Sequence, residues 1–114
     1  QAEYRRADAF VLASEFEGYG MAFAEAMAQS LPIVGSGGGA VADTVQADCG
    51  LLVPVGDAAA LTDALDRVMT DAPLRCGLAA GAARAGRQLP SWGAAAAKFD
   101  TVLEAAIRAT PLTV

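Results

Sequence analysis

A short apolar run, Phe10-Val11-Leu12-Ala13, stops abruptly at the polar pair Ser14 and Glu15. Two glycines follow, Gly18 and Gly20, and then an alanine- and methionine-rich segment over residues 21–30 that reads as a helix. A strand, a glycine-bearing turn and a helix start, in that order, point to a parallel α/β sheet, whose buried strands are short continuous apolar runs. In such sheets ligands bind outside the carboxyl ends of the strands. The free N–H groups and the positive dipole end of the helix favour an anion there, commonly a phosphate.

Two carboxylates frame the turn, Glu17 before the glycines and Glu25 within the helix. If both were helical they would lie about 80° apart around the axis. The glycines instead put Glu17 in the loop, over the helix mouth, with Glu25 a turn or so in, on the exposed side. A carboxylate beside a phosphate repels it, so this pair suits hydrogen bonds from hydroxyls. A ligand with an anionic middle and hydroxylated groups on each side fits, and a nucleotide sugar is one. Taken singly, each glutamate also has a plain reading: a solvated loop acid, and a helix-favourable residue near an N-terminus.

The rest of the chain repeats the alternation. Residues 2–7 read as the end of a helix, with Arg5 and Arg6 suited to its C-terminal dipole. Leu31-Pro32 closes the helix at 21–30, because proline disfavours helical geometry in the residue before it. Ile33-Val34 forms a second strand, closed by Gly35-Ser36-Gly37-Gly38-Gly39, and a short helical piece follows at about 40–46. That glycine tract permits positive φ and close approach to a ligand, or serves as a flexible connection. Leu51-Leu52-Val53 is a third strand, ended by Pro54. Asp57 is a good N-cap for a helix over 58–70, whose Leu61, Leu65, Val68 and Met69 share one face. Pro73 suits the first turn of a helix over 73–88, with Leu74, Leu78, Ala82, Ala85 and Leu89 in phase. Ser91 caps a last helix over 91–109, with a stripe of Trp92, Ala95, Phe99, Val102, Leu103 and Ile107. All three stripes read as core-facing.

The expected fold is α/β: a partial Rossmann-like three-layer domain, with a short parallel sheet of about three strands and helices over it. Its first strand would present an apolar edge to be covered by another strand. No repeat, low-complexity linker or internal boundary divides the 114 residues, so they read as a single partial domain. The chain opens on Gln1 in what reads as a helix end and is taken as a fragment. Composition narrows the function. A net charge of −5 without a basic tract interleaved with aromatics argues against nucleic-acid binding. The absence of histidine argues against a structural zinc site and against a histidine base. Cys49 and Cys76 form no C-x-x-C; a disulfide between them is one reading, and inert thiols of a reducing cytoplasm are the favoured one. Mean hydropathy is +0.37, yet no apolar stretch approaches the about 18–20 residues of a membrane span, and no signal peptide opens the chain. The alanine-rich, lysine-poor composition points to a GC-rich bacterial genome.

The segment Glu17-Gly18-Tyr19-Gly20-Met21-Ala22-Phe23-Ala24-Glu25-Ala26-Met27-Ala28 resembles the E-x7-E region of retaining GT-B glycosyltransferases of the group 1 family. The similarity runs over about residues 3–109. Tyr4 to Ser14 is similar to the family's helix–Ala-Asp–strand–Ser approach, Leu31 to Ser36 to its "LPVVAS" strand, and Gly50 to Pro54 with Gly56-Asp57 to its "GLLVPPGD". Ser91-Trp92 is similar to the "SW" that opens its closing helix.

The resemblance implies the latter part of a C-terminal donor-binding domain, carrying its last three strands. The donor, a UDP- or GDP-type nucleotide-diphosphate sugar, would be the substrate, with no separate cofactor and no metal. A hexose would pass to a carbohydrate or lipid-linked acceptor held by an N-terminal domain, with retention of anomeric configuration. By position, Glu25 matches the glutamate that binds ribose hydroxyls, and Glu17, as the catalytic residue, the one that approaches the donor sugar. The backbone of Gly18, Tyr19, Gly20, Met21 and Ala22 would meet the sugar and diphosphate, with Ser14 shaping the loop. Localisation would be cytoplasmic, with peripheral association at the inner membrane face open to the full protein. Two positions depart from the pattern: Ala22 stands where proline is frequent, and Gly38-Gly39-Ala40-Val41-Ala42-Asp43 lacks the proline of "GG-x-PE" and shortens its acid. No lysine or arginine lies within residues 14–45, so the family's phosphate-neutralising cations would precede this chain, which alone is expected to be inactive. Two alternatives are a non-catalytic nucleotide-sugar or phosphosugar binding module, and a GT-B epimerase or phosphorylase.

Overall fold

A computed structural model describes residues 2–109. The apolar runs become strands β1 (Phe10–Leu12), β2 (Ile33–Ser36) and β3 (Gly50–Val53) of one parallel sheet, in the order β1-β2-β3. Phe10 pairs with Ile33 and Leu12 with Gly35; on the far side of β2, Ile33 pairs with Gly50 and Ser36 with Val53. All four residues of the central strand are buried, and alternation sends its side chains to opposite faces. Ile33 packs with Phe23, Met27, Val41 and Cys49, whereas Val34 packs with Ala64, Val68 and Leu78.

The helices are α1 (Ala2–Arg6), α2 (Met21–Ala28), α3 (Val41–Thr44), α4 (Ala58–Thr70), α5 (Ala72–Gln88) and α6 (Trp92–Ala109). α2 and α3 cover one face of the sheet and α4 the other. α5 serves both: Ala82 and Ala85 join the α2 side, while Leu74 and Leu78 join the α4 side. The three-layer α/β arrangement expected from the sequence is present. Asp57 caps α4, accepting from the Ala60 N–H at 2.9 Å, and Ser91 Oγ accepts from the Ala94 N–H at 3.1 Å ahead of α6. Asp71 caps α5 in the same way through the Leu74 N–H at 2.9 Å, which starts that helix at Ala72 with Pro73 in its first turn.

Several boundaries differ from the sequence reading. α2 ends at Ala28, not at residue 30, because Ser30 takes a left-handed φ of 61° and the chain turns there. The Leu31 N–H then reaches back to the Ala26 carbonyl and the Ser30 N–H to Met27, which satisfies the last carbonyls of the helix. α3 is confined to Val41–Thr44, and β2 runs on through Gly35 and Ser36.

The larger correction concerns α6. Its stripe was expected to face the core, but none of its residues is buried. Trp92 is 82% exposed, Ile107 69% and Phe99 66%. Leu89 is extended (φ −63°, ψ 135°) ahead of Pro90, so the chain leaves α5 in a new direction and α6 projects from the body. The radius of gyration is accordingly 17.8 Å, against about 13 Å for a compact chain of this size. β1 is an open edge of the sheet, with Val11 exposed on it. Both cysteines are free, Cys49 buried and Cys76 exposed. Among the described residues no helix is long and apolar enough to cross a membrane.

Candidate functional site

The first loop leaves the carboxyl end of β1 and the glycine tract leaves the carboxyl end of β2, side by side. At the mouth of α2, Gly20 sits at φ 77° and ψ 38°, a left-handed conformation that glycine alone adopts without strain. The first bond of the helix runs from the Ala24 N–H to the Gly20 carbonyl at 3.0 Å, and no side chain caps it. The N–H groups of Met21, Ala22 and Phe23 thus precede the ladder. Thr44 Oγ1 reaches the carbonyls of Ala40 at 3.0 Å and Tyr19 at 3.4 Å, tying α3 to this loop.

The glycine tract lies directly against the first loop. The Ala40 N–H donates to the Glu17 carbonyl at 3.0 Å. Gly39, at φ 60°, faces the Glu17 backbone so closely that a Cβ there would overlap its carbonyl oxygen. A Cβ on Gly38 would come within 2.5 Å of the Glu15 carbonyl oxygen. The tract therefore sets where the backbone of residues 15–17 runs, a contact that spacing in the sequence does not reveal.

The two glutamates are held by different donors. Ser14 Oγ donates to Glu17 Oε1 at 2.7 Å, and both residues are half-buried. Glu25 is exposed on α2, and the Tyr4 hydroxyl donates to its Oε2 at 3.3 Å. Burial and then the neighbouring Glu25 carboxylate push the Tyr4 phenol above its ordinary range. Glu25, Tyr19 and Met21 line one side of an open groove of about 630 Å³, whose other wall comes from Leu89, Pro90 and Trp92. Ser14 and Glu17 do not line that groove; they stand by the glycine tract. Gly18 is exposed with open space around it, and Ala22 is half-buried in the first turn of α2. The residues singled out in the sequence thus form two adjoining groups, with the start of α2 common to both. No lysine or arginine lines the groove, and among the described residues no three acidic or cysteine side chains stand together as metal ligands. From the sequence Tyr4 reads only as part of the approach to β1, and Leu89 and Trp92 as core-facing positions, since they reach the groove only through tertiary packing.

A three-stranded parallel sheet with loops at its strand ends and a left-handed glycine at the mouth of a helix is a Rossmann-like α/β arrangement. The chain belongs to the family described as glycosyl transferases group 1, whose profile matches residues 1–71. It is 37% identical over 106 residues to a D-inositol 3-phosphate glycosyltransferase of Xylanimonas cellulosilytica, covering 92% of this chain and 25% of that protein. A protein of the same description from Corynebacterium aurimucosum is 32% identical over 102 residues, covering 89% of this chain and 24% of the relative. Among solved structures, sucrose-phosphate synthase from Thermosynechococcus elongatus superposes with a TM-score of 0.85 at 30% identity, over 95% of this chain and 27% of that one. The chain spans about a quarter of the length of the curated relatives it matches.

Proposed function

We propose that this chain forms the donor side of a retaining, metal-independent glycosyltransferase that moves a hexose from a nucleotide-diphosphate sugar to a carbohydrate or lipid-linked acceptor. Glu25 accepts hydrogen bonds from the ribose hydroxyls. The amides of Gly18 to Ala22 meet the sugar and the diphosphate. Glu17, oriented by Ser14, approaches the donor sugar as its catalytic residue. In the reaction the bond from the anomeric carbon to the phosphate oxygen breaks, and the diphosphate leaves with the electron pair. The acceptor hydroxyl bonds to that carbon on the same face and passes its proton to the departing phosphate oxygen. Amides aimed at the leaving group stabilise its developing charge. Cations from elsewhere in the protein complete that stabilisation, since residues 14–45 contain none. We place the enzyme in the cytoplasm, with a lipid-linked acceptor drawing it to the inner membrane face.

The observation that carries this reading is the uncapped amide cluster at the start of α2, framed by two carboxylates that are each held by a hydroxyl. The test is Glu25→Ala and Glu17→Ala in the intact protein. Glu25→Ala should raise the donor KM at least about tenfold, the cost of hydrogen bonds to a charged group. Glu17→Ala should mainly lower kcat. Undiminished donor affinity and turnover in both variants would overturn the assignment. Residues 1–114 alone should show no sugar transfer.

A further inference from the structure

We infer that Tyr4 is a positioning residue for Glu25, fixing one carboxylate oxygen so that the remaining lone pairs face a vicinal diol. The inference rests on the proposed donor role of Glu25. Among the described residues, the Tyr4 hydroxyl is the side-chain donor that Glu25 has, at 3.3 Å on Oε2, and no cation pairs with it. Left alone, a glutamate on an exposed helix face samples several rotamers, and ordering it on binding costs entropy. One bond from a fixed group removes much of that cost in advance.

Tyr4 is itself fixed. Its ring packs on Phe10 with centroids 6.1 Å apart, and Phe10 meets the buried Phe23 edge-on at 5.6 Å. This stack ties the hydroxyl to β1 and to the inner face of α2, the same helix that carries Glu25 on its outer side. A phenol is a donor at neutral pH, and burial together with the adjacent carboxylate moves its titration further from neutrality. The bond crosses 21 positions of sequence and joins α1 to the groove. Tyr4 does not need to touch the ligand; it acts through Glu25.

The experiment uses the intact protein that carries this chain and compares Tyr4→Phe, Glu25→Ala and the double variant. Tyr4→Phe keeps the ring and its stack, so Tm should not move. The donor KM should rise about threefold to tenfold, as expected for one long hydrogen bond to a charged group, with kcat nearly unchanged. In the Glu25→Ala background the same substitution should have no further effect on KM, the signature of coupling between the two side chains. A wild-type donor KM for Tyr4→Phe, when Glu25→Ala raises it, overturns the inference and leaves the donor role of Glu25 standing. An equal rise with and without Glu25 overturns it too, by making Tyr4 a general structural residue. A donor KM unchanged by Glu25→Ala overturns the donor role, and the inference with it.

Discussion

α5 and α6 follow one another, have 17 and 18 residues, and each carries an apolar stripe behind an N-terminal oxygen cap, Asp71 for one and Ser91 for the other. α5 buries Leu78, Gly81 and Ala82, whereas α6 buries nothing. The stripe of α6 is the heavier of the two, with Trp92, Phe99, Val102, Leu103 and Ile107 against the leucines and alanines of α5. Apolar mass therefore does not decide which helix docks. The small residues of α5 let its backbone approach the body: a Cβ on Gly81 would overlap the carbonyl of Asp48, and one on Gly86 would come within 2.5 Å of the Met27 carbonyl oxygen. On α6, Gly93 has only Ser91 Oγ nearby, at 3.8 Å.

The same glycine-to-alanine change in the two helices should have opposite signs, and this is the largest contrast expected. Gly81→Ala should destabilise by about 2–3 kcal/mol, since the clash with backbone outweighs alanine's better helix propensity. Gly93→Ala should be neutral or stabilising by up to about 1 kcal/mol. Urea midpoints of both variants check this, and a shared sign would break the comparison. Next, Leu78→Ala should cost about 2 kcal/mol or more by leaving a cavity beside Val34 and Val68. Phe99→Ala in the same chain should stay within about 0.5 kcal/mol, because the removed ring is already in water. A Phe99→Ala cost near that of Leu78→Ala would show that α6 is covered in solution.

The smallest effect concerns charge. Arg84 on α5 reaches across to Asp48 at 3.2 Å, while Arg108 on α6 reaches only its own Glu104 at 2.9 Å. The hydrogen bond from Cys49, and then Arg84, hold the Asp48 carboxyl below its ordinary range. A depressed carboxylate contributes stability above its unfolded-state pKa and loses it as pH falls through the folded value. Arg84→Ala should thus lower Tm slightly at pH 7, by about 1 °C given the exposure of both partners, and not at all in strong acid. Arg108→Ala should leave Tm unmoved at either pH.

The comparison also separates what local chemistry announces from what it leaves open. Apolar runs of strand length, oxygen caps at Asp57 and Ser91, and the helical phase of Leu61, Leu65 and Val68 are local signals, and each element they announce is present, although Met69, expected on the same core-facing stripe, is exposed. Periodicity identified the apolar face of α6 correctly, but it carries no information about what lies opposite that face. The end of α2 carries no local signal, because the left-handed turn falls on Ser30 rather than on a glycine. At the candidate site, Glu17, Gly20 and Glu25 stand out in the sequence as candidates because a strand end, a glycine pair and a helix start sit together there. The Ser14–Glu17 bond is local and could be guessed. The Tyr4–Glu25 bond and the seating of Gly39 on Glu17 arise only when β1, β2 and α2 assemble.

That seating bears on anyone who would re-engineer the site. The turns after β1 and β2 share a hydrogen bond and an interface with no room for a methyl group, so neither can be lengthened or grafted without displacing the other. Exchanging loops between homologues to alter ligand preference should succeed only when residues 14–20 and 37–40 travel together as one cassette.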